Sequence, residues 1–349
     1  SYKGFYYHFL DMKTGARFKE VELSTIDTTL LLAGALFCQS YFDREDATER
    51  AIRDAAEELY RRADWTFFQA RPPFISMSWT PEHGLQNFDW HGYNEALILL
   101  ILALGSPTHP VDPSAMQAYT STYEWHDFYW QQYVTFAPLF GYQYSHIWID
   151  FRGIQDEYMR AKGIDYFENS RRATYAQRAY AIANPDRWRD YGENVWGLTA
   201  CDGPLDGNLT IDGKTRLFHT YSARGVSPQY TVDDGTIAPT AAASSIAFAP
   251  EIAQPAIAEM QRRYGDRLYQ QYGFLDSFNP TLNIDTHVQM GRVVPGAGWF
   301  DSDYLGVDQG PIIAMIENYR SGLVWNVMKK NPHIVRGLKR AGFSGGWLQ

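Results

Sequence analysis

The order of apolar and polar residues predicts an all-α protein whose helices lie in two concentric layers, an α/α toroid. Two observations carry that reading. Nearly all-apolar helical runs alternate along the chain with amphipathic ones, as an inner and an outer layer require, and no strand-dominated stretch interrupts them.

Residues 26–42 form a helical run introduced by Ser24 and Thr25, and residues 45–63 follow with Ala47, Ala51, Ile52, Ala55 and Leu59 on one stripe. The short turn at Asp43 and Arg44 makes them an αα-hairpin, its first helix mostly buried and its second amphipathic. Residues 91–104 read as a nearly all-apolar helix ended by Gly105 and Pro107, and a shorter helix covers 113–121. Residues 164–183 are long and polar on one side. The small residues of 240–249 have an amphipathic partner from Pro250 to Tyr264, and 310–330 and 332–340 complete the series.

Between helices lie long loops at 71–90, 123–144, 192–231 and 272–310, rich in Gly, Pro, Asp, Trp and Tyr. Loops this long inside a compact domain are usually functional, and their aromatic content argues against disorder. No linker, low-complexity segment or short repeat divides the chain, so residues 1–349 are expected to form one catalytic domain.

Composition narrows the function. A net charge of −9 leaves no basic excess to neutralise phosphates, which excludes nucleic acid as a partner. The longest apolar run, 96–104, is too short to span a bilayer. Cys38 and Cys201 make no disulfide framework, and the nine His lack metal-ligand spacing. Asp301 and Asp303 begin something like a calcium loop, but Leu305 and Ile312 stand where an EF-hand needs oxygen ligands. Nucleotide-binding glycine loops and the serine-hydrolase elbow are absent too, so neither metal nor cofactor is expected. Aromatics make up 16% of the chain, many beside Gly, Asp and Asn. That chemistry suits a sugar, whose C–H face packs on a ring while carboxylates bind its hydroxyls.

The sharpest local anomaly is Glu95, which opens directly onto the run Ala96 to Leu104. A carboxylate at the mouth of so apolar a helix loses hydration, which favours its protonated form and suits a general acid; the bland reading is a helix N-terminal charge. Asp27 stands at the polar start of another buried helix, with Glu20 two turns earlier if that segment is helical. Capping by Ser24 explains Asp27 equally well. Asp202 and Asp234 sit on Gly turns, which turn formation alone also explains. Asp276 and Asp303 lie on late acid-plus-aromatic loops and are the leading candidates for a base, with Asp27 in reserve. Trp79, Trp90, Trp148, Trp196, Tyr304 and Arg152 are expected to surround the cleft and contact substrate. All these acids are expected to converge there.

Several segments resemble the glycoamylase-like family of bacterial endo-β-1,2-glucanases: 4–12 (GFYYHFLDM), 26–34 (IDTTLLLAG), 92–96 (GYNEA), 106–110 (SPTHP), 196–204 (WGLTACDGP), 234–241 (DGTIAPTA) and 308–322 (DQGPIIAMIENYRSG). They run in order from one end of the chain to the other. The resemblance implies an (α/α)6 toroid, a β-glucan substrate, most likely β-1,2-glucan, and an inverting two-carboxylate mechanism without a cofactor in the periplasm or outside the cell. It places the family's acid on Glu95. Relatives carry three acids where this chain has Glu20, Ser24 and Asp27, so Ser24 departs from the pattern. That departure leaves two alternatives: a transglycosylase of the cyclic β-1,2-glucan synthase type, or a non-catalytic glycan-binding toroid. Relatives also have helices before residue 4. The chain is therefore expected to lack its first helices, which a separate N-terminal chain would supply unless closure differs.

Overall fold

The computed structural model describes residues 1–349 and contains twelve α-helices: α1 (Thr25–Tyr41), α2 (Ala47–Arg61), α3 (Leu97–Gly105), α4 (Ser114–Ser121), α5 (Phe140–Trp148), α6 (Glu157–Lys162), α7 (Tyr166–Ala183), α8 (Pro239–Ala243), α9 (Pro250–Tyr264), α10 (Gly306–Arg320), α11 (Leu323–Met328) and α12 (Pro332–Arg340). None is long and apolar enough to cross a membrane.

The all-α expectation is corrected by seven small sheets with strands of two to five residues. They escape a reading based on periodicity because alternation cannot establish itself over so few residues. Helix ends shift for local reasons as well. Gly92 adopts φ +67°, so the chain turns there and α3 starts only at Leu97. The run 310–330 breaks into α10 and α11 at Gly322, which adopts φ +69°.

The chain folds into two compact units. One comprises 1–124, 148–166 and 323–349, and the other comprises 125–147 and 167–322. Each is assembled from separated stretches, so no single linker divides them.

In the first unit α1 packs on α2, α3 and α11, and α3 packs on α12. Every residue of α3 is buried. Each of its Leu and Ile side chains contributes roughly 1.5–3 kcal/mol by leaving water, which outweighs its lack of a side-chain cap. The α3–α12 contact is backbone to backbone. A Cβ on Gly337 would lie 2.1 Å from the Ile101 carbonyl oxygen, and one on Gly105 would lie 2.3 Å from that of His333. Asn331 caps α12 through the amides of His333 and Ile334 while its Nδ2 donates to Ser40 of α1. A three-stranded antiparallel sheet, Leu23–Ser24, Ser78–Thr80 and Gly84–Leu85, fixes where α1 begins, with Ser24 opposite Ser78.

In the second unit α8 is built of small buried residues and packs on α9 and α10. Gln143 of α5 donates to the Ala241 carbonyl and the Ser245 hydroxyl. The hairpin Gly207–Ile211 with Lys214–Phe218 turns at Asp212 and Gly213, both at positive φ, as a tight two-residue turn demands. Leu205, Ile211, Phe218, Leu282 and Trp299 form a core beneath it.

Candidate active site

In the first unit the N-terminal turn of α1 and the turn before α3 each present a carboxyl. Asn94 shapes the second turn. Its Oδ1 accepts from the Ala96 amide at 3.0 Å and from the Tyr119 hydroxyl at 2.8 Å, and its Nδ2 donates to the His91 carbonyl. These bonds fix the backbone on either side of Glu95. Glu95 itself is half-buried, and burial raises its carboxyl from an ordinary 4.5 to about 7. Its own backbone amide opposes the shift, and the negative charge of Asp27 adds to it. Dehydration therefore dominates, as the apolar helix behind Glu95 suggested.

Asp27 lies in the first turn of α1, where its amide donates to the Ser24 hydroxyl oxygen at 3.1 Å and the Ser24 hydroxyl donates to its carboxylate. His8 reaches the same carboxylate, with Nε2 3.5 Å from Oδ2, while its Nδ1 lies 2.8 Å from Glu22 Oε1. The His8 amide bonds the Glu22 carbonyl and the Ser24 amide bonds the Tyr6 carbonyl, so this segment pairs alongside the start of α1. Sequence reasoning missed His8 and Glu22 as neighbours of Asp27. The only signal was His8 itself inside a stretch rich in aromatics.

Glu20 does not share this arrangement. It sits exposed in a turn rather than two helical turns before Asp27, because Lys19 takes φ 50° and the Val21 amide closes the turn on the Phe18 carbonyl. Trp79 stacks on Tyr2 with ring centroids 4.7 Å apart. Trp90 is buried and donates its indole N–H to Thr25 Oγ1, so it braces α1 instead of offering a ring face to a sugar. Trp148 is half-buried against Gly34 of α1, and its indole nitrogen has no hydrogen-bond partner. Arg152 forms a fork with Asp150 at 2.7 and 2.8 Å and lies over the Trp325 ring.

In the second unit a larger group of acids is assembled by backbone pairing. Strand Phe278–Asn279 pairs with Gly298–Phe300, and the ladder continues through the Asp301 amide to the Ser277 carbonyl and the Asp276 amide to the Asp303 carbonyl. Asp202 joins from the pair Ala200–Asp202 and Tyr221–Ala223; its amide donates to Asp276 Oδ2 at 2.8 Å and its carbonyl accepts from Ser277. Asp276 and Asp308 approach each other carboxyl to carboxyl. Burial and that like charge drive Asp276 well upward, so it holds its proton at neutral pH, the opposite of what a base needs. Asp303 is exposed on the adjacent loop, and Tyr304 packs edge-on to Tyr272.

Two expected substrate contacts in this unit are internal instead. Asp234 is buried with its oxygens committed to a bidentate pair with Arg224, both bonds 2.7 Å, and to the amides of Thr236 and His219. Trp196 is fully buried, leaving no ring face for stacking. The glycine after Asp234 is required, because Gly235 has φ +81° and a Cβ there would lie 2.4 Å from the Trp188 ring.

In the first unit a dehydrated carboxyl and a more hydrated one stand at the starts of two packed helices. The chain belongs to the glycoamylase-like family: the family model described as "Putative glucoamylase" matches residues 87–332. It is 33% identical to a "putative glucoamylase" of Bacteroides uniformis of known structure, covering 100% of this chain and 79% of that one with a TM-score of 0.82. An endo-β-1,2-glucanase of Chitinophaga pinensis, solved with sophorotriose and glucose, is 27% identical, also with a TM-score of 0.82, over 99% of this chain and 78% of that one. An exo-β-1,2-glucooligosaccharide sophorohydrolase of Parabacteroides distasonis is 27% identical over 95% of this chain. The chain spans 46% of that relative's length.

Proposed function

We propose that this chain is a glycoside hydrolase that cleaves β-1,2-linked glucan, with Glu95 as general acid and Asp27 as base. The observation that carries the assignment is the contrast between the two carboxyls. Glu95 is dehydrated and raised to about 7, whereas Asp27 has a side chain 39% exposed and accepts from Ser24 with His8 alongside. Two titratable groups held in opposed environments are the signature of divided acid and base roles. In hydrolysis the Glu95 proton passes to the glycosidic oxygen as the C–O bond breaks, and Asp27 takes a proton from the attacking water. The names of the Chitinophaga and Parabacteroides relatives support β-1,2-linkage as the substrate class. Trp148, half-buried against Gly34 of α1, is our candidate for a sugar platform.

Incubating the purified chain with β-1,2-glucooligosaccharides and following reducing ends and product anomers tests this reading. Shorter products of a single anomeric form support it. Longer or cyclised products would replace hydrolysis by transfer, and binding without turnover across a β-glucan panel would remove catalysis altogether.

A further inference from the structure

We infer that Asp202, Asp276 and Asp301 form a binding site for one hard divalent cation, calcium in the first instance. One carboxylate oxygen from each lies within 4.8 Å of those of the other two, and all three residues are buried. Oxygens on a single calcium, with bonds of about 2.3–2.6 Å, lie no more than about 5 Å apart, so the triangle fits one ion.

The unspent valence of the carboxylates points the same way. Asp276 and Asp301 are each only 2% exposed, yet Asp276 Oδ1 and both oxygens of Asp301 receive no well-formed hydrogen bond; the Ser302 amide approaches Asp301 in poor geometry, and Asp276 otherwise meets the carboxyl of Asp308. Buried acceptors in folded proteins are almost always satisfied, so unsatisfied oxygens on two of the three clustered carboxyls call for a ligand. Asp303 and Asp308 add further negative charge. Arg224 is the cation whose charge reaches Asp202, and its donors are spent on Asp234 through Nε and Nη2 and on the Cys201 carbonyl through Nη1. An all-oxygen donor set without His or Cys selects calcium or magnesium over zinc or copper. The ligands come from positions 202, 276 and 301, too far apart in sequence for any spacing motif to register them.

The inference is independent of the catalytic reading and is tested without turnover. The full chain, stripped with EDTA and desalted, is dialysed to equilibrium against calcium and analysed for bound metal, then melted with and without 1 mM (about) CaCl2. One ion per chain and a rise in Tm of at least about 2 °C are expected. Asp301→Asn should lose both effects. Asp202→Asn, at the rim of the cluster, should weaken binding at least about tenfold by removing one of three carboxyl ligands, the Asp276 proton being released to solvent as the ion enters, and it keeps the test decisive if Asp301→Asn does not fold. No binding of calcium, magnesium or manganese to the wild-type chain overturns the site and assigns its neutralisation to protons shared among the carboxyls. Undiminished binding by the folded variants overturns it too, because the ion would then lie elsewhere.

Discussion

The Ser24 hydroxyl donates to the Asp27 carboxylate while the Asp27 amide donates back to the Ser24 oxygen, closing the first turn of α1 from both sides. Ser24→Ala removes the cap and the tether together. It should cost about 1 kcal/mol of stability, read as a lower urea midpoint at unchanged slope. Because Asp27 then keeps only His8 beside its carboxylate, turnover should fall as well. A variant as stable and as active as wild type would show that neither bond matters.

Glu95→Gln keeps the shape of the side chain but removes the transferable proton. Turnover of β-1,2-glucooligosaccharides should fall by about 10²–10⁴-fold with little change in Tm. Undiminished sugar release by this variant would remove Glu95 from the mechanism.

The same carboxyl sets a pH dependence. Glu95 titrates near 7 in the folded chain against an ordinary 4.5, so between these values the folded state holds a proton that the unfolded state has released. Its contribution to stability is therefore complete below about 4.5, declines as pH rises through about 7, and is constant above. Activity that needs the protonated acid should fall over the alkaline part of that window. Asp27→Asn should move the alkaline limb of binding or residual activity to lower pH, by less than the whole shift because burial is the larger cause. An unmoved limb would show that the Asp27 charge does not reach Glu95.

The raised carboxyl of Glu95 was legible in the sequence because its main cause is local: a carboxyl placed directly before nine apolar helical residues loses much of its water. Helices α1, α2 and α9 were legible for the same reason, their periodicity lying within one continuous stretch. The short strands were not, because pairs such as Phe278 with Phe300 are set by the loops that carry them. Acid-plus-Gly turns misled most at Asp234, whose partner Arg224 could not be inferred from spacing. Trp90 and Trp196 misled similarly, since a tryptophan reads alike on a sugar platform and in a core.

The Arg224–Asp234 pair is buried on both sides, at 0% and 2% side-chain exposure. Asp234→Ala leaves the guanidinium without its counter-charge and should cost about 3–5 kcal/mol, visible as a large drop in Tm. A drop no larger than that of an exposed ion pair, for which Arg50→Ala beside Glu45 is the control, would contradict the pair's structural role.

The glycine contact between α3 and α12 carries a consequence for how the protein is made. Helix α3 is apolar on every side, and the backbone surface that covers it comes from residues more than two hundred positions later. During synthesis α1 and α2 can shield part of that greasy cylinder, but the side that meets α12 must wait while the intervening chain emerges. Closing so long a loop is slow, and exposed apolar helix invites association with other chains in the interval. The N-terminal unit is thus the last to be finished although it is the first to be started, and the turn that carries Glu95 acquires its final setting only when the ribosome has delivered Gly337.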